Sequence, residues 1–342
     1  MPHISRVVYL AVGICALSAV CSAQRELPAG RTSLVLMHQQ LERSAYVLIP
    51  RGAAPAGGRP LVVMLHGGGG SAEYLLGRSS WPRLSEREGF VLLLPNGSPE
   101  VAGQRSSFMG NKQTWNDGGP ISLAPNTSAY ARGVDDVGFL MMLIDHVKQR
   151  TPIDGDRVYL SGHSNGSAMS YRLAGEHPGE FAAVGVVAGH LRTPLPARSV
   201  PVPLLQITGA QDPFVPIAGG QAGFGRRRTQ VPPAIHAPQQ WAAFNGITTP
   251  ETVVEDTALF RTVRWGTGGS RMEVMFTIIH GHGHEWPGDP SPLPAMLIGP
   301  NAHSMNACEV IWHFFESHRR PVPAGAGQPG AKLDEAAPVA VD

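Results

Sequence analysis

The chain has 342 residues, enough for one large α/β domain or two small ones, with 42% hydrophobic and only 15% charged residues. That composition fits a globular protein with a substantial core rather than a disordered or fibrous chain. A formal net charge of +1 supplies no long-range field for nucleic acid or an anionic membrane, and the one basic run, Arg226-Arg227-Arg228, reads as a solvated loop.

The first element in chain order is a processing signal. Arg6 precedes an apolar stretch over 7–20, and Cys21-Ser22-Ala23 places small residues before Gln24. This charged, apolar, small-residue order predicts a secretory signal peptide over 1–23 and export to the periplasm or the medium. The stretch is too short for a membrane span. A lipidated Cys21 is the alternative, but Ser18 and β-branched Val20 stand where such signals carry other residues. Removal of 1–23 takes away Cys15 and Cys21 and leaves Cys308 alone, so no intrachain disulfide is expected. Cys308 lies in a helical stretch near Ile311 and Phe314 and reads as a buried small hydrophobe.

Two β-rich runs follow, 33–37 and 45–49, joined by polar residues that suit an antiparallel turn, and then a Pro/Gly/Ala loop over 50–60. Short apolar runs at 61–65, 90–94, 158–160, 182–188, 204–207 and 274–279 have the character of parallel strands buried on both faces. Asp135-Asp136 opens a helix whose apolar residues Val137, Leu140, Leu143, Ile144 and Val147 recur at helical spacing. A closing helix is expected over 302–318, and the Pro/Ala/Gly-rich residues 319–342 are expected to be a disordered tail. The alternation predicts a single α/β domain over 24–318, with a mostly parallel sheet covered by helices on both faces. The stretches 103–133 and 217–237 lack periodicity and are long for loops, so they are expected to shape the mouth of a site.

Gly162-His163-Ser164-Asn165-Gly166 stands between the strand-like Arg157-Val158-Tyr159-Leu160 and a helix-compatible run over 167–176. In that strand, sharp turn, helix context, Gly-x-Ser-x-Gly marks Ser164 as a nucleophile, because the turn lifts its hydroxyl out at a helix N-terminus. A plain serine in a glycine turn is the other reading. The hydroxyl needs a base, and the base an orienting carboxylate, in the chain order nucleophile, acid, histidine. Asp212, in Gly209-Ala210-Gln211-Asp212-Pro213 just past a strand, fits the acid; an Asx turn before Pro213 is its bland reading, and Glu255 and Asp256 compete. In His280-Gly281-His282-Gly283-His284-Glu285-Trp286-Pro287-Gly288, His284 lies furthest into the loop and is chosen as the base, with His282 in reserve. The alternating histidines also raise a metal site, which the glycines and Pro287 argue against by favouring a turn over an extended strand. No metal or other cofactor is called for.

His66-Gly67-Gly68-Gly69-Gly70 follows a strand and offers bare backbone N–H groups, so Gly68 and Asn165 are assigned as oxyanion-hole donors. A phosphate loop is the rival, but no Gly-Lys-Ser/Thr ending is present. Two readings stay open for Trp115 and Trp286: an aromatic wall that binds the acyl group, or core tryptophans under the loops.

These motifs together resemble the secreted polyhydroxybutyrate depolymerase-like esterases, a group that includes feruloyl and acetylxylan esterases of the α/β-hydrolase fold. The matching pieces are His66-Gly67-Gly68, Trp115-Asn116, Val134-Asp135-Asp136-Val137-Gly138-Phe139, the Ser164 pentapeptide, Asp212-Pro213-Phe214-Val215-Pro216 and Gly283-His284-Glu285-Trp286-Pro287-Gly288. The resemblance implies Ser164, Asp212 and His284 as a triad and an ester as substrate, a polyester, a hydroxycinnamoyl ester or an acetylated polysaccharide. Gly118-Gly119 and the glycines after His66 stand where the family commonly has cysteines, and His282 where it usually has glycine, so the family's disulfides do not carry over. The expected chemistry is two-step acyl transfer, with activity rising through neutral pH as a histidine base loses its proton. The rivals are a non-catalytic binding protein on the same fold, a metal hydrolase built on His280, His282 and His284, and an acyltransferase.

Overall fold

The structure, a computed structural model, describes residues 26–320 apart from Met109, 121–123, 198–199, 225–226 and 291–292. The expected signal peptide with Cys15 and Cys21, and the expected tail beyond Arg320, lie outside the described residues. Arg319 and Arg320, counted with the tail from sequence, instead join the domain: Arg319 Nη2 donates to Asp154 Oδ2 at 2.9 Å, and the Arg320 N–H to the Asp156 carbonyl at 2.9 Å.

The elements run β1 (Gly30–His38), β2 (Leu41–Ile49), β3 (Arg59–Leu65), α1 (Ala72–Arg78), α2 (Trp81–Glu88), β4 (Val91–Pro95), β5 (Ser98–Pro99), β6 (Gln113–Thr114), α3 (Asp136–Lys148), β7 (Ile153–His163) and α4 (Asn165–Glu176). The second half continues with β8 (Ala183–Val187), β9 (Leu204–Gly209), β10 (Gly220–Phe224), β11 (Arg227–Val231), α5 (His236–Phe244), β12 (Thr252–Asp256), β13 (Phe260–Trp265), β14 (Val274–Ile279), α6 (Ala295–Ile298) and α7 (Ala307–Glu316). One ten-stranded sheet has the order β1-β2-β4-β3-β7-β8-β9-β14-β13-β12. Its middle, from β4 to β14, is parallel, and antiparallel strands close both edges.

Every apolar run read as a buried strand forms one, and the two-residue period explains how each serves both faces. Leu61, Val63 and Leu65 join Leu160, Val186, Leu143, Leu173 and Trp241, so α3, α4 and α5 cover one face. Val62 and Met64 join Tyr159, Val187, Trp81, Ile311 and Phe315, so α1, α2 and α7 cover the other. α3 starts where its cap predicts: the Asp135 carboxylate accepts the Gly138 N–H at 2.9 Å. α7 is shorter than the expected 302–318. It begins at Ala307 because the Asn306 side chain accepts the N–H groups of Cys308 and Glu309 and caps it there. Cys308 is fully buried in that helix, as a small hydrophobe. Among the described residues no helix is long and apolar enough to cross a membrane.

Both aperiodic stretches border one cleft, as expected. The 217–237 stretch holds the β10–β11 hairpin; of the basic run, Arg228 lies exposed in β11 and Arg226 is outside the described residues. The hairpin, the β12–β13 pair and helices α1, α2 and α5 were not read from the sequence.

Candidate active site

β7 ends at His163 and α4 begins at Asn165, so Ser164 occupies the single residue between strand and helix. Its backbone has φ 53° and ψ −115°, a conformation few non-glycine residues adopt and one that stores strain at functional turns. Two contacts hold it: the Ser164 N–H donates to Val187 at 2.9 Å, and the Ser164 carbonyl accepts from Ala168 at 3.0 Å. The two glycines of the pentapeptide are sterically required. A Cβ on Gly162 would lie 2.3 Å from the Gly166 carbonyl oxygen, and one on Gly166 would lie 2.4 Å from those of His66 and Leu65.

Three side chains from distant strand ends meet here. His284 Nε2 lies 2.8 Å from Ser164 Oγ, and its Nδ1 lies 2.8 Å from Asp212 Oδ2. Asp212 is buried after β9, and its Oδ1 accepts the N–H groups of Phe214 and Val215 at 2.7 and 2.9 Å. Burial pushes the Asp212 carboxyl up, but the His284 imidazole and these N–H donors outweigh it and hold the pKa below the ordinary carboxylate value. The same bonds are those of an Asx turn, so the bland reading of Asp212 and the functional one describe one geometry.

The glycine loop after β3 lies beside Ser164. His66 anchors it: Nε2 accepts the Gly97 N–H at 2.9 Å, and Nδ1 faces the Gly67 carbonyl at 2.8 Å. Burial drives the His66 pKa down to about 4, so the ring is neutral and fixed in one tautomer. Gly69 and Gly70 spend their N–H groups on Gln113 and Gly67. Gly68 and Asn165 both line the cleft beside Ser164. The Asn165 side chain is locked in turn: Oδ1 accepts the Trp115 N–H at 2.8 Å and Nδ2 donates to Asp117 Oδ2 at 2.8 Å. Asp117 is fully buried, and burial raises its pKa against the opposing pull of Arg192, whose Nε lies 3.4 Å away.

The structure favours the core reading of Trp115. It is fully buried, donates Nε1–H to the His66 carbonyl at 2.9 Å, packs 5.0 Å from the His66 ring and does not line the cleft. Its indole props the glycine loop from below, a role that side-chain chemistry alone does not distinguish from an acyl wall. Trp286 does reach the cleft, while its ring also packs 6.3 Å from Trp81. The competing acids are excluded by place: Glu255 and Asp256 sit exposed on edge strand β12, and Asp256 pairs with Arg261.

His282, the reserve base, is buried and turned away from Ser164. Its Nε2–H donates to the Glu285 carbonyl at 3.0 Å and its Nδ1 accepts the Ala302 N–H at 3.2 Å, so its ring shapes the loop that carries His284. His280 is exposed at the end of β14. The three histidines therefore do not converge, and among the described residues no group of three or more His, Cys, Asp or Glu could hold a metal ion.

Above the triad opens a cavity of ≈470 Å³. Phe108, Phe214, Val215, Ala222, Val231 and Trp286 give it apolar walls. Phe108 comes from the 103–133 stretch, and Ala222 and Val231 from the β10–β11 hairpin. Sequence reasoning missed His163, His66 and the Asn165–Asp117 pair as site-building residues, though two of them lie inside the motifs that located Ser164.

Residues 43–200 match the family described as "Esterase PHB depolymerase". The protein named "Putative esterase NocK", from Nocardia uniformis subsp. tsuyamanensis, is 28% identical over 316 residues, which cover 86% of this chain and 83% of that one. Feruloyl esterase B of Thermothelomyces thermophilus is 29% identical over 130 residues, 38% of this chain and 39% of that protein, so this chain spans about two fifths of that relative. In three dimensions, the acetyl xylan esterase from Aspergillus awamori superposes with a TM-score of 0.52 at 15% identity, over 84% of this chain and 99% of that one. At that identity the likeness is one of fold, the α/β-hydrolase fold.

Proposed function

We propose that this carboxylic ester hydrolase, whose residues 43–200 match the esterase PHB depolymerase family, works by acyl transfer through Ser164 on esters whose acyl group is larger than acetyl. The observation that carries this reading is the hydrogen-bonded line from Asp212 through His284 to Ser164 Oγ on the floor of the cleft.

Ser164 Oγ attacks the ester carbonyl carbon as His284 Nε2 takes its proton. Asp212 Oδ2 accepts the Nδ1–H bond, fixes the tautomer and stabilises the imidazolium that forms. The N–H groups of Gly68 and Asn165 receive the developing oxyanion, a stabilisation worth about 10²–10³ in rate for each donor. The proton on Nε2 then passes to the departing alkoxide. In the second half, water attacks the acyl-enzyme by the same route in reverse, and the acid leaves.

The cleft volume of ≈470 Å³ and its walls of Phe108, Phe214, Val215 and Val231 support an aromatic or hydroxyalkanoyl acyl group, since acetyl would leave most of that surface wet. The test is a comparison of purified wild type and Ser164→Ala on 4-nitrophenyl butyrate, methyl ferulate, hydroxybutyrate oligomers and 4-nitrophenyl acetate. The serine variant is expected to lose at least about 10⁴-fold in kcat/KM, and the larger acyl groups to outpace acetyl. A serine variant that keeps its activity would overturn the mechanism, and a preference for acetyl would overturn the acyl assignment. Export through residues 1–23 belongs to the same proposal; N-terminal sequencing of the mature protein is expected to begin at Gln24.

A further inference from the structure

His163 takes part in no step of that reaction, yet it lies against both His284 and the glycine loop. Its Nε2 lies 2.7 Å from the backbone carbonyl oxygen of His284, 121 positions along the chain, so it carries the proton and donates it there. Its ring lies 5.2 Å from the His284 ring and 6.2 Å from that of Trp286. On its other side, a Cβ on Gly67 would come within 3.0 Å of His163 Nδ1, so the ring fills the space against the glycine loop.

The loop that carries His284 needs such an anchor. It runs from β14 to α6 through Gly281 and Gly288, both at positive φ, and it has no strand or helix ladder of its own around His284. The backbone of His284 is gripped from two sides: its N–H donates to the Ile298 carbonyl at 2.7 Å, and its carbonyl accepts from His163. The first grip ties the base to α6; the second ties it to the residue covalently attached to Ser164.

We propose that His163 is a positioning residue for the base, holding the backbone of His284 at the place where Nε2 meets Ser164 Oγ. The inference rests on the reading of Ser164 and His284 as nucleophile and base. A carbonyl acceptor also fixes the tautomer, so the ring acts as a neutral single donor. Burial, helped by the neighbouring His284, lowers its pKa to about 3 and keeps it in that form over the working range.

The experiment measures kcat and KM on 4-nitrophenyl butyrate for wild type, His163→Leu, His163→Gln and Ser164→Ala, with thermal unfolding of each. His163→Leu keeps the bulk and removes the donor, so kcat is expected to fall about 10²-fold with KM nearly unchanged, the effect of a base displaced by a fraction of its bond length. His163→Gln offers an amide N–H to the same carbonyl and is expected to recover most of the loss. A His163→Leu variant as active as wild type, or a His163→Gln variant no better than it, would overturn the inference. Activity surviving in Ser164→Ala would instead sink the reading beneath it. Imidazole NMR of the wild-type protein decides the matter even if the variants fold poorly. The His163 Nε2–H is expected to stay protected from exchange from about pH 5 to about pH 8, and a ring that titrates in that window contradicts the role.

Discussion

A side-chain carbon on Gly166 would lie 2.4 Å from the carbonyl oxygen of His66. The first turn of α4 therefore rests directly on the chain as it leaves β3, and Gly68 and Asn165 line the same cleft as Ser164. Gly166→Ala is expected to push the two segments apart and destabilise the protein by about 3 kcal/mol or more. Urea unfolding of the variant checks this; an unchanged midpoint would mean that the contact is looser than it stands.

Trp115→Phe keeps the aromatic packing but removes the donor to the His66 carbonyl, leaving a buried acceptor unpaired. The expected loss is about 1–3 kcal/mol in stability, with KM little changed because the indole does not face the cleft. A large rise in KM with intact stability would restore the acyl-wall reading of this tryptophan.

Asp212→Asn keeps the Oδ1 that accepts the Phe214 and Val215 N–H groups, but it replaces the carboxylate oxygen that receives His284 Nδ1–H. The imidazole then loses its tautomer, and kcat is expected to fall about 10⁴-fold with little change in fold. Steady-state kinetics beside circular dichroism separates the two.

Acid is expected to unfold this protein earlier than its carboxylates alone would require. Burial holds His66 at about 4 and His163 at about 3, below the 6.5 of an exposed imidazole. Between those values the unfolded chain binds protons that the folded one refuses, so stability falls as pH drops. The contribution of the two neutral rings is complete above 6.5 and is lost progressively toward 4 and 3. Each ring adds a slope of up to about 1.4 kcal/mol per pH unit. Asp212, held below the ordinary carboxylate value, acts in the same direction in a lower window: its contribution is present above 3.8 and is lost as pH falls further. Urea unfolding at a series of pH values measures the slope; a flat profile between about pH 6 and about pH 4.5 would contradict these burials.

The parallel middle of the sheet was legible because each strand is a continuous apolar run, and Ser164 because its glycines have a steric reason to be there. The edge and cap elements were not. β12 is exposed along its whole length, so it has no apolar side to read, and α1 and α2 are a turn or two long. Trp115 was placed with Trp286 because both are tryptophans next to site motifs. Only packing reveals that one props the glycine loop while the other lines the cleft. The supports of the site escaped for a related reason: the partners of Asn165, Asp117 and Arg192 are joined across the fold, and nothing in their spacing announces the pairing.

In the proposed mechanism His284 makes Ser164 nucleophilic. Intact-mass measurement after treatment with a fluorophosphonate, followed by mapping of the labelled peptide, tests it most directly. A single adduct on Ser164 is expected in the wild type, and its loss in His284→Ala. An adduct on another residue, or no adduct on a protein that still hydrolyses esters, would contradict it.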